Sequence, residues 1–355
     1  MHRCSVYEFR TNCLCRVYAA ETILRVNVLT TLMINSLRAG DQLDGYQIES
    51  LVANGGMACI YRATDVRNGR AVAVKVPHFE VESDPVGFDR FKREEAIGQR
   101  LDHPGVIKVF EREEPSRVYM VSEWIEGRLL RNILTEEKKL ELSRAINLTI
   151  QICEALNYIH GQGVVHRDLK PENIIVGCND NIKLIDFGIA SSSGARRLTF
   201  GKFSRTMGTP DYISPEQLKR NRADARSDLY AVGVMFYEML TGETPFQGTN
   251  PLVVMTDRLL NDPIPPRQLN SQIPPQIQEI IYRALERNPA DRYASAREFA
   301  ADLRNPDSVG VAERSELRQR NARSSSKERA ALVYTALAMI PVVIFVLLLI
   351  VARYQ

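Results

Sequence analysis

Near residue 126 the chain changes its hydrophobic period, and that change limits what it can fold into. Upstream, residues 46–125 hold short β-rich runs (YQIESLVA, CIYRATD, AVAVKV, VIKVFER and VYMVSEWI) around one charged helical stretch, DRFKREEAIGQRL. Downstream, residues 128–305 are mostly helical by period, as in LSRAINLTIQICEALNYIH and SDLYAVGVMFYEMLTG, with GTPDY, GETPF, NDPIPP and IPPQ as punctuation. A strand-rich stretch feeding a larger helical one predicts a single α+β domain over 44–305, built as two unequal lobes with a cleft between them. No internal repeat is visible.

Residues suited to phosphate and metal fall along both halves. HRDLKPEN (166–173) sets Asp168 and Asn173 five apart in a stretch interrupted by Pro171. Further on, the apolar run IKLI leads into Asp186 of IDFG. Two acids and an amide oxygen suit a hard divalent cation that keeps substrate phosphates in its shell, as Mg²⁺ does. Lys75 closes the strand-like AVAVK, where a cation suits an anionic ligand. NGGM (54–57) lies between two β runs, and its glycines let backbone N–H groups approach phosphate closely. Each residue alone has a plainer structural reading, since Asp and Asn commonly cap helices.

In chain order, the Gly-rich turn, VAVK, HRDLKPEN, DFG and SPE resemble the eukaryotic-type protein kinases. GGM in the loop, RFKREE and LDHPGVI around the charged helix, and GTPDYISPEQ downstream resemble the bacterial membrane-anchored (Hanks-type) Ser/Thr protein kinases. The likeness covers roughly 46–305. It implies a bilobal protein-kinase fold, with a small β-rich N-lobe and a larger α-helical C-lobe. It also implies transfer of the γ-phosphoryl group of ATP to protein Ser/Thr hydroxyls.

The resemblance assigns roles residue by residue. Lys75 binds the α- and β-phosphates and pairs with a helix glutamate. Counting back from His103 of LDHP favours Glu94 over Glu95. Adjacent helical residues point about 100° apart, so Glu95 is expected to be a solvated surface charge. Asp168 accepts or orients the proton of the attacking hydroxyl, and Lys170 neutralises the transferred phosphoryl group, a mark of Ser/Thr kinases. Asn173 and Asp186 hold Mg²⁺ (or Mn²⁺). Val52, Ala53, Asn54, Gly55, Gly56, Met57 and Ala58 form the loop over the phosphates. Ile60 and Ala73 clasp adenine from above and Ile175 from below, with backbone bonds from Glu123 and Ile125. Ser122 takes the gatekeeper place, which implies an open pocket behind the adenine. Glu216 and Arg292 resemble a buried ion pair, and Asp228 resembles the helix acid that holds the catalytic-loop backbone.

The loop departs from the family pattern. GxGxxG reads here Ala53-Asn54-Gly55-Gly56-Met57-Ala58. If the outer positions need positive φ, each alanine costs roughly 1–2 kcal/mol. This motivates an alternative, a pseudokinase scaffold that binds partners without transferring phosphate. A small-molecule kinase is a further alternative, opposed by the GTPDYISPEQ segment. Arg167 before Asp168 implies control by activation-segment phosphorylation. The candidates there are Ser191, Ser192, Ser193, Thr199, Ser204 and Thr206, with Ser204 or Thr206 favoured. Thr209 is expected to contact Asp168 and Lys170 instead. Autophosphorylation in trans, through a homodimer, is the expected switch.

Composition bears on partners and compartment. The 46 Lys+Arg against 43 Asp+Glu leave a net charge of +3, which argues against a nucleic-acid-coating protein. Six Cys without a CxxC pair exclude a disulfide scaffold and read as reduced cytosolic thiols. Residues 330–352 carry no charge and as a helix would reach about 34 Å, enough for a hydrocarbon core of about 30 Å. A buried core helix is the competing reading, and Pro341 is expected to kink the span. Six Lys/Arg in 312–329 against Arg353 alone beyond predict a cytoplasmic position for residues 1–329, in a single-pass cell-membrane protein. Residues 306–329 are a basic juxtamembrane linker, touching anionic lipid or simply solvated. Residues 353–355 form a short extracytoplasmic tail, with no sensor domain expected outside. Residues 1–43 read as an N-terminal extension, with Met33 as the expected alternative start and 1–32 untranslated.

Overall fold

The computed structural model describes residues 37–112, 115–186, 210–219, 221 and 223–312. Strands β1 (Gln42–Leu43), β2 (Tyr46–Asn54), β3 (Ala58–Asp65), β4 (Arg70–Pro77), β5 (Val109–Phe110) and β6 (Met120–Glu123) form one antiparallel sheet, ordered β1-β2-β3-β4-β6-β5. Alternation decides its faces. Val72, Val74 and Val76 of β4 are buried with Tyr61 and Ala63 of β3, while Ala73, Lys75 and Ile60 are half-buried on the other side. The charged stretch is a helix beside this sheet. After α1 (Phe79–Ser83), α2 (Pro85–Arg100) starts on Asp84, whose side chain accepts from Gly87 N at 3.0 Å, with Pro85 at the first helical position. Gly98 lets α2 press on β5, since a Cβ there would lie 2.4 Å from Val109 Cγ2.

The larger lobe holds α3 (Leu130–Glu137), α4 (Leu142–Gly161), α5 (Pro215–Leu218), α6 (Ala225–Thr241), α7 (Pro251–Leu260), α8 (Pro266–Leu269), α9 (Pro275–Ala284) and α10 (Ala296–Arg304). Helix α6 is its centre. Every residue from Ser227 to Leu240 is buried, the behaviour of a helix apolar nearly all round. It packs against α4 and α9, and Gly233 admits the latter, since a Cβ there would lie 2.7 Å from Ala284 Cβ. A small sheet, β7 (Gly127–Leu129), β8 (Ile174–Gly177) and β9 (Ile182–Leu184), lies within this helical half.

The two-lobed α+β architecture is the expected one, with differences at its edges. Of VIKVFER only Val109 and Phe110 pair in the sheet. The folded unit also reaches beyond 44–305: β1 precedes residue 44, Leu37 packs on the small-lobe core, and Val309 packs on the large-lobe core. Cys59, Cys153 and Cys178 are free thiols. Residues 1–36, the basic run 313–329 and the proposed span 330–352 lie outside the described residues. Among the described residues no helix is long and apolar enough to cross a membrane.

Candidate active site

Strand pairing brings the two halves of the acid–amide set together. Ile174 of β8 sits opposite Leu184 of β9, so Asn173 and Asp186 flank the same ladder, and Ile185 N donates to Asn173 O at 2.9 Å. The LDHPGVI turn secures β9. Leu184 N donates to Gly105 O at 2.8 Å, and Ile107 N donates to Leu184 O at 3.0 Å.

The catalytic-type loop hangs from α6. Asp228, fully buried, accepts from His166 N at 2.9 Å and Arg167 N at 2.8 Å, and His160 Nε2 lies 2.7 Å from its Oδ2. This brace holds Arg167 at φ 66°, and Asp186 stands at φ 55°. A left-handed L-residue costs about 1–2 kcal/mol; here the surrounding bonds enforce it at both edges of the site. Gln217 adds a second tie. Its Oε1 accepts from Ser214 N at 3.1 Å and Oγ at 2.9 Å, and its Nε2 donates to Arg167 O at 3.0 Å. Sequence reasoning missed Gln217 and His160. The Ser-x-x-Gln spacing of SPEQ was a capping-box signal for the first; nothing local marks the second.

Lys75 joins the lobes. Its Nζ lies 2.6 Å from Glu94 Oε1 on α2 and 2.6 Å from Asp186 Oδ1 after β9. Burial opposes the lysine charge, but Asp186 and Glu94 outweigh it and hold the ammonium above the usual lysine range. Lys75 in turn holds the Asp186 carboxyl below its ordinary value against the effect of burial, helped by His166 and Lys170. Burial pushes Glu94 up despite the pull of Lys75. Asp168 points into the open, its side chain 56% exposed, with Lys170 Nζ 2.7 Å from Oδ2. Asn173 Nδ2 donates to Asp168 O at 2.7 Å, which leaves the amide oxygen to turn elsewhere. Asn173 and Asp186 are hard oxygen donors and fit Mg²⁺. Among the described residues no group of three or more His, Cys, Asp or Glu could hold a metal ion.

The roof and back of the cleft follow from the sheet. Ile60 and Ala73 half-bury their side chains on the Lys75 face, and Ile175 does so on β8 of the other lobe. Glu123 N is committed to Lys108 O at 2.9 Å, and the Glu123 carboxylate to Lys183 Nζ at 2.5 Å, so its carbonyl is what it can offer. Ile125 is half-buried two residues on, and Ser122 is buried opposite Ala73. Val52 and Met57 are exposed. Ala53 and Ala58 lie in β2 and β3, with Ala53 opposite Ile60, and neither has positive φ. The cost expected of these alanines therefore does not arise. The turn itself closes by Gly55 N donating to Ala58 O at 3.0 Å. His78, unmarked in the sequence, ties the turn down: its N donates to Met57 O at 2.9 Å and its Nε2 lies 2.7 Å from Gly55 O.

Residues 46–302 match the protein kinase domain family. This chain belongs to that family. Its kinase domain is 37% identical over 269 residues to the probable serine/threonine-protein kinase PknB of Corynebacterium glutamicum, covering 73% of this chain and 42% of that protein. It is likewise 37% identical over 265 residues to the serine/threonine-protein kinase PknB of Mycolicibacterium smegmatis, covering 73% and 42%. The chain thus spans about two fifths of the length of these curated relatives. The fold is also that of the Mycobacterium tuberculosis PknI kinase domain, with a TM-score of 0.61 at 24% identity, covering 77% of this chain and 100% of that one.

Within this kinase domain the expectation for Glu95 is overturned as well. Glu95 is not a solvated charge: it is buried, paired with Arg112 and 3.0 Å from Lys92 Nζ. Glu216 and Arg292 do form a buried bidentate pair, at 2.9 and 2.7 Å, with Ser227 Oγ donating to Glu216 at 2.6 Å. Ser191, Ser192, Ser193, Thr199, Ser204, Thr206 and Thr209 lie outside the described residues.

Proposed function

We propose that the chain is an ATP-dependent Ser/Thr protein kinase, anchored in the cell membrane by residues 330–352 with its kinase domain cytoplasmic. The catalytic part rests on one observation, the contact of Lys75 Nζ with Glu94 and Asp186 at 2.6 Å each. A cation so held can grip the α- and β-phosphates in the cleft, under the Val52–Ala58 turn and between Ile60, Ala73 and Ile175. Glu123 and Ile125 supply the backbone bonds that orient adenine. Asp168, open to solvent, orients the substrate hydroxyl and takes its proton, and Lys170 beside it balances charge on the phosphoryl group. Asn173 and Asp186 would hold Mg²⁺ (or Mn²⁺), which would supply positive charge to the phosphates. With Ala53 and Ala58 unstrained in strands, the pseudokinase alternative loses its motive.

Radiolabelled ATP and a generic protein substrate test this reading. Label transfer by the parent that falls at least about 100-fold in Asp168→Asn is expected; equal labelling by both sinks it. The charge asymmetry about 330–352 supports the anchor and its orientation. Arg167, held at the base of the site, supports control by phosphorylation of the 187–209 segment, in trans between anchored copies. Full activity of a Thr199, Ser204 and Thr206 triple-Ala variant would refute that control.

A further inference from the structure

Two glutamates stand side by side on α2, and each meets its own cation. Glu94 reaches Lys75 in the cleft. Glu95, about 100° round the helix, turns to Arg112, which follows β5. Both members of this second pair are shut away from solvent, with side-chain exposures of 6% for Arg112 and 8% for Glu95. Among the described residues Arg112 Nε and Nη1 have no hydrogen-bond partner, and Glu95 is the carboxylate that its guanidinium bonds, with Asp44 acting on it at longer range. Arg112 is itself fixed. Its guanidinium lies 4.1 Å from the Tyr119 ring centroid, and Tyr119 Oη donates to Asp44 Oδ2 at 3.0 Å. Asp44 also accepts from Ser116 N at 2.8 Å.

We propose that Arg112 is a positioning residue: by holding Glu95 it sets the rotation of α2 about its axis and so keeps Glu94 on Lys75. The proposal rests on the kinase reading for its catalytic consequence. Glu94 and Glu95 are chemically identical neighbours, and a turn of α2 by about 100° would exchange them at Lys75. Among the cations outside α2 that they meet, Arg112 tells them apart, since Lys92, which also pairs with Glu95, turns with the helix. Bringing Glu95 to the cleft would take from a buried guanidinium the carboxylate it bonds, which is costly, whereas Lys75 alone expresses no preference. Fixing a register is the best-attested use of buried polar groups, and here the register chosen is that of a helix against a sheet. Phe91 against Val109 and Met120, and Gly98 against Val109, lie on the same face of α2 as Glu95 and favour the same rotation, to which the Glu95–Arg112 pair adds a charge that Lys75 cannot supply.

The test is a cycle crossing Glu94→Gln with the apolar pair Glu95→Leu/Arg112→Met. The apolar pair removes both buried charges together, so the fold, followed by Tm, is expected to survive. The expected result is a loss of at least tenfold in kcat/KM in the Glu94 parent and no more than twofold in the Glu94→Gln background. An unchanged kcat/KM, or equal losses in both backgrounds, overturns the proposal, because a merely structural pair acts without regard to Glu94. If the apolar pair does not fold, the isosteric Glu95→Gln is read in the same cycle, with at least fivefold loss expected in the parent alone. A parent that transfers no phosphate defeats the kinase reading by itself. The cycle is then read in the Kd for a fluorescent ATP analogue, with the same non-additivity expected and the same additive outcome overturning.

Discussion

At the scale of single residues, Lys75 is the contact on which the site turns, because it touches a carboxylate from each lobe. Lys75→Met is expected to lower kcat/KM for label transfer by at least about 100-fold, of the order found when a preorganised charge is removed. Glu94 was legible from a count along the chain. The burial of Glu95 was not, because its partner lies seventeen residues away and no helical period links them. The two alanines of the loop show the reverse limit: letters alone suggested strain, and only backbone angles place them in ordinary strand. Ser122, buried opposite Ala73 at the rear of the cleft, carries a small side chain where a bulky inhibitor group could pass. Ser122→Met should therefore raise the Ki of an ATP-competitive inhibitor bearing a large hydrophobic substituent by tenfold or more. An unchanged Ki would show that the space is not used.

At the scale of elements, α2 brings Glu94 to Lys75 and Gly98 sets the distance of α2 from the sheet. Helix propensity favours alanine over glycine by about 1 kcal/mol. The Cβ would meet Val109 Cγ2 at 2.4 Å, however, and overpacking costs about 1–3 kcal/mol. Gly98→Ala is expected to lower Tm, against propensity, and to lower activity with it; a higher Tm would mean that β5 yields. The long elements were legible from period: α2, α4 and α6 lie where the charged or apolar spacing put them. The short ones were not. β1 has two residues and β7 three, too few to show alternation, and tertiary pairing alone creates them.

At the scale of the whole molecule, the Glu216–Arg292 pair ties the SPE segment to the far end of the large lobe. Burial raises the Glu216 carboxyl, but Arg292 outweighs it and holds it below the usual range. Its stabilisation is therefore complete above the ordinary glutamate value of about 4.3 and is lost as pH falls through the lowered folded value. Glu216→Gln should lower Tm at pH 7, by an amount equivalent to about 3–5 kcal/mol. The gap from the parent should narrow as pH falls below the ordinary glutamate value of about 4.3, as thermal melts at descending pH would read. Deleting residues 330–352 is expected to move the protein from the membrane fraction to the supernatant; an unchanged distribution would remove the anchor. The two-lobed plan was legible because period and motif agreed, whereas the ties across it join residues far apart in the chain, as Asp228 does with His166 and Arg167. That last tie has a dynamic consequence. The loop bearing Asp168 is suspended from the most deeply enclosed helix, whose amides should exchange with deuterium last. Exchange is therefore expected to run faster in the sheet above than in this floor beneath it.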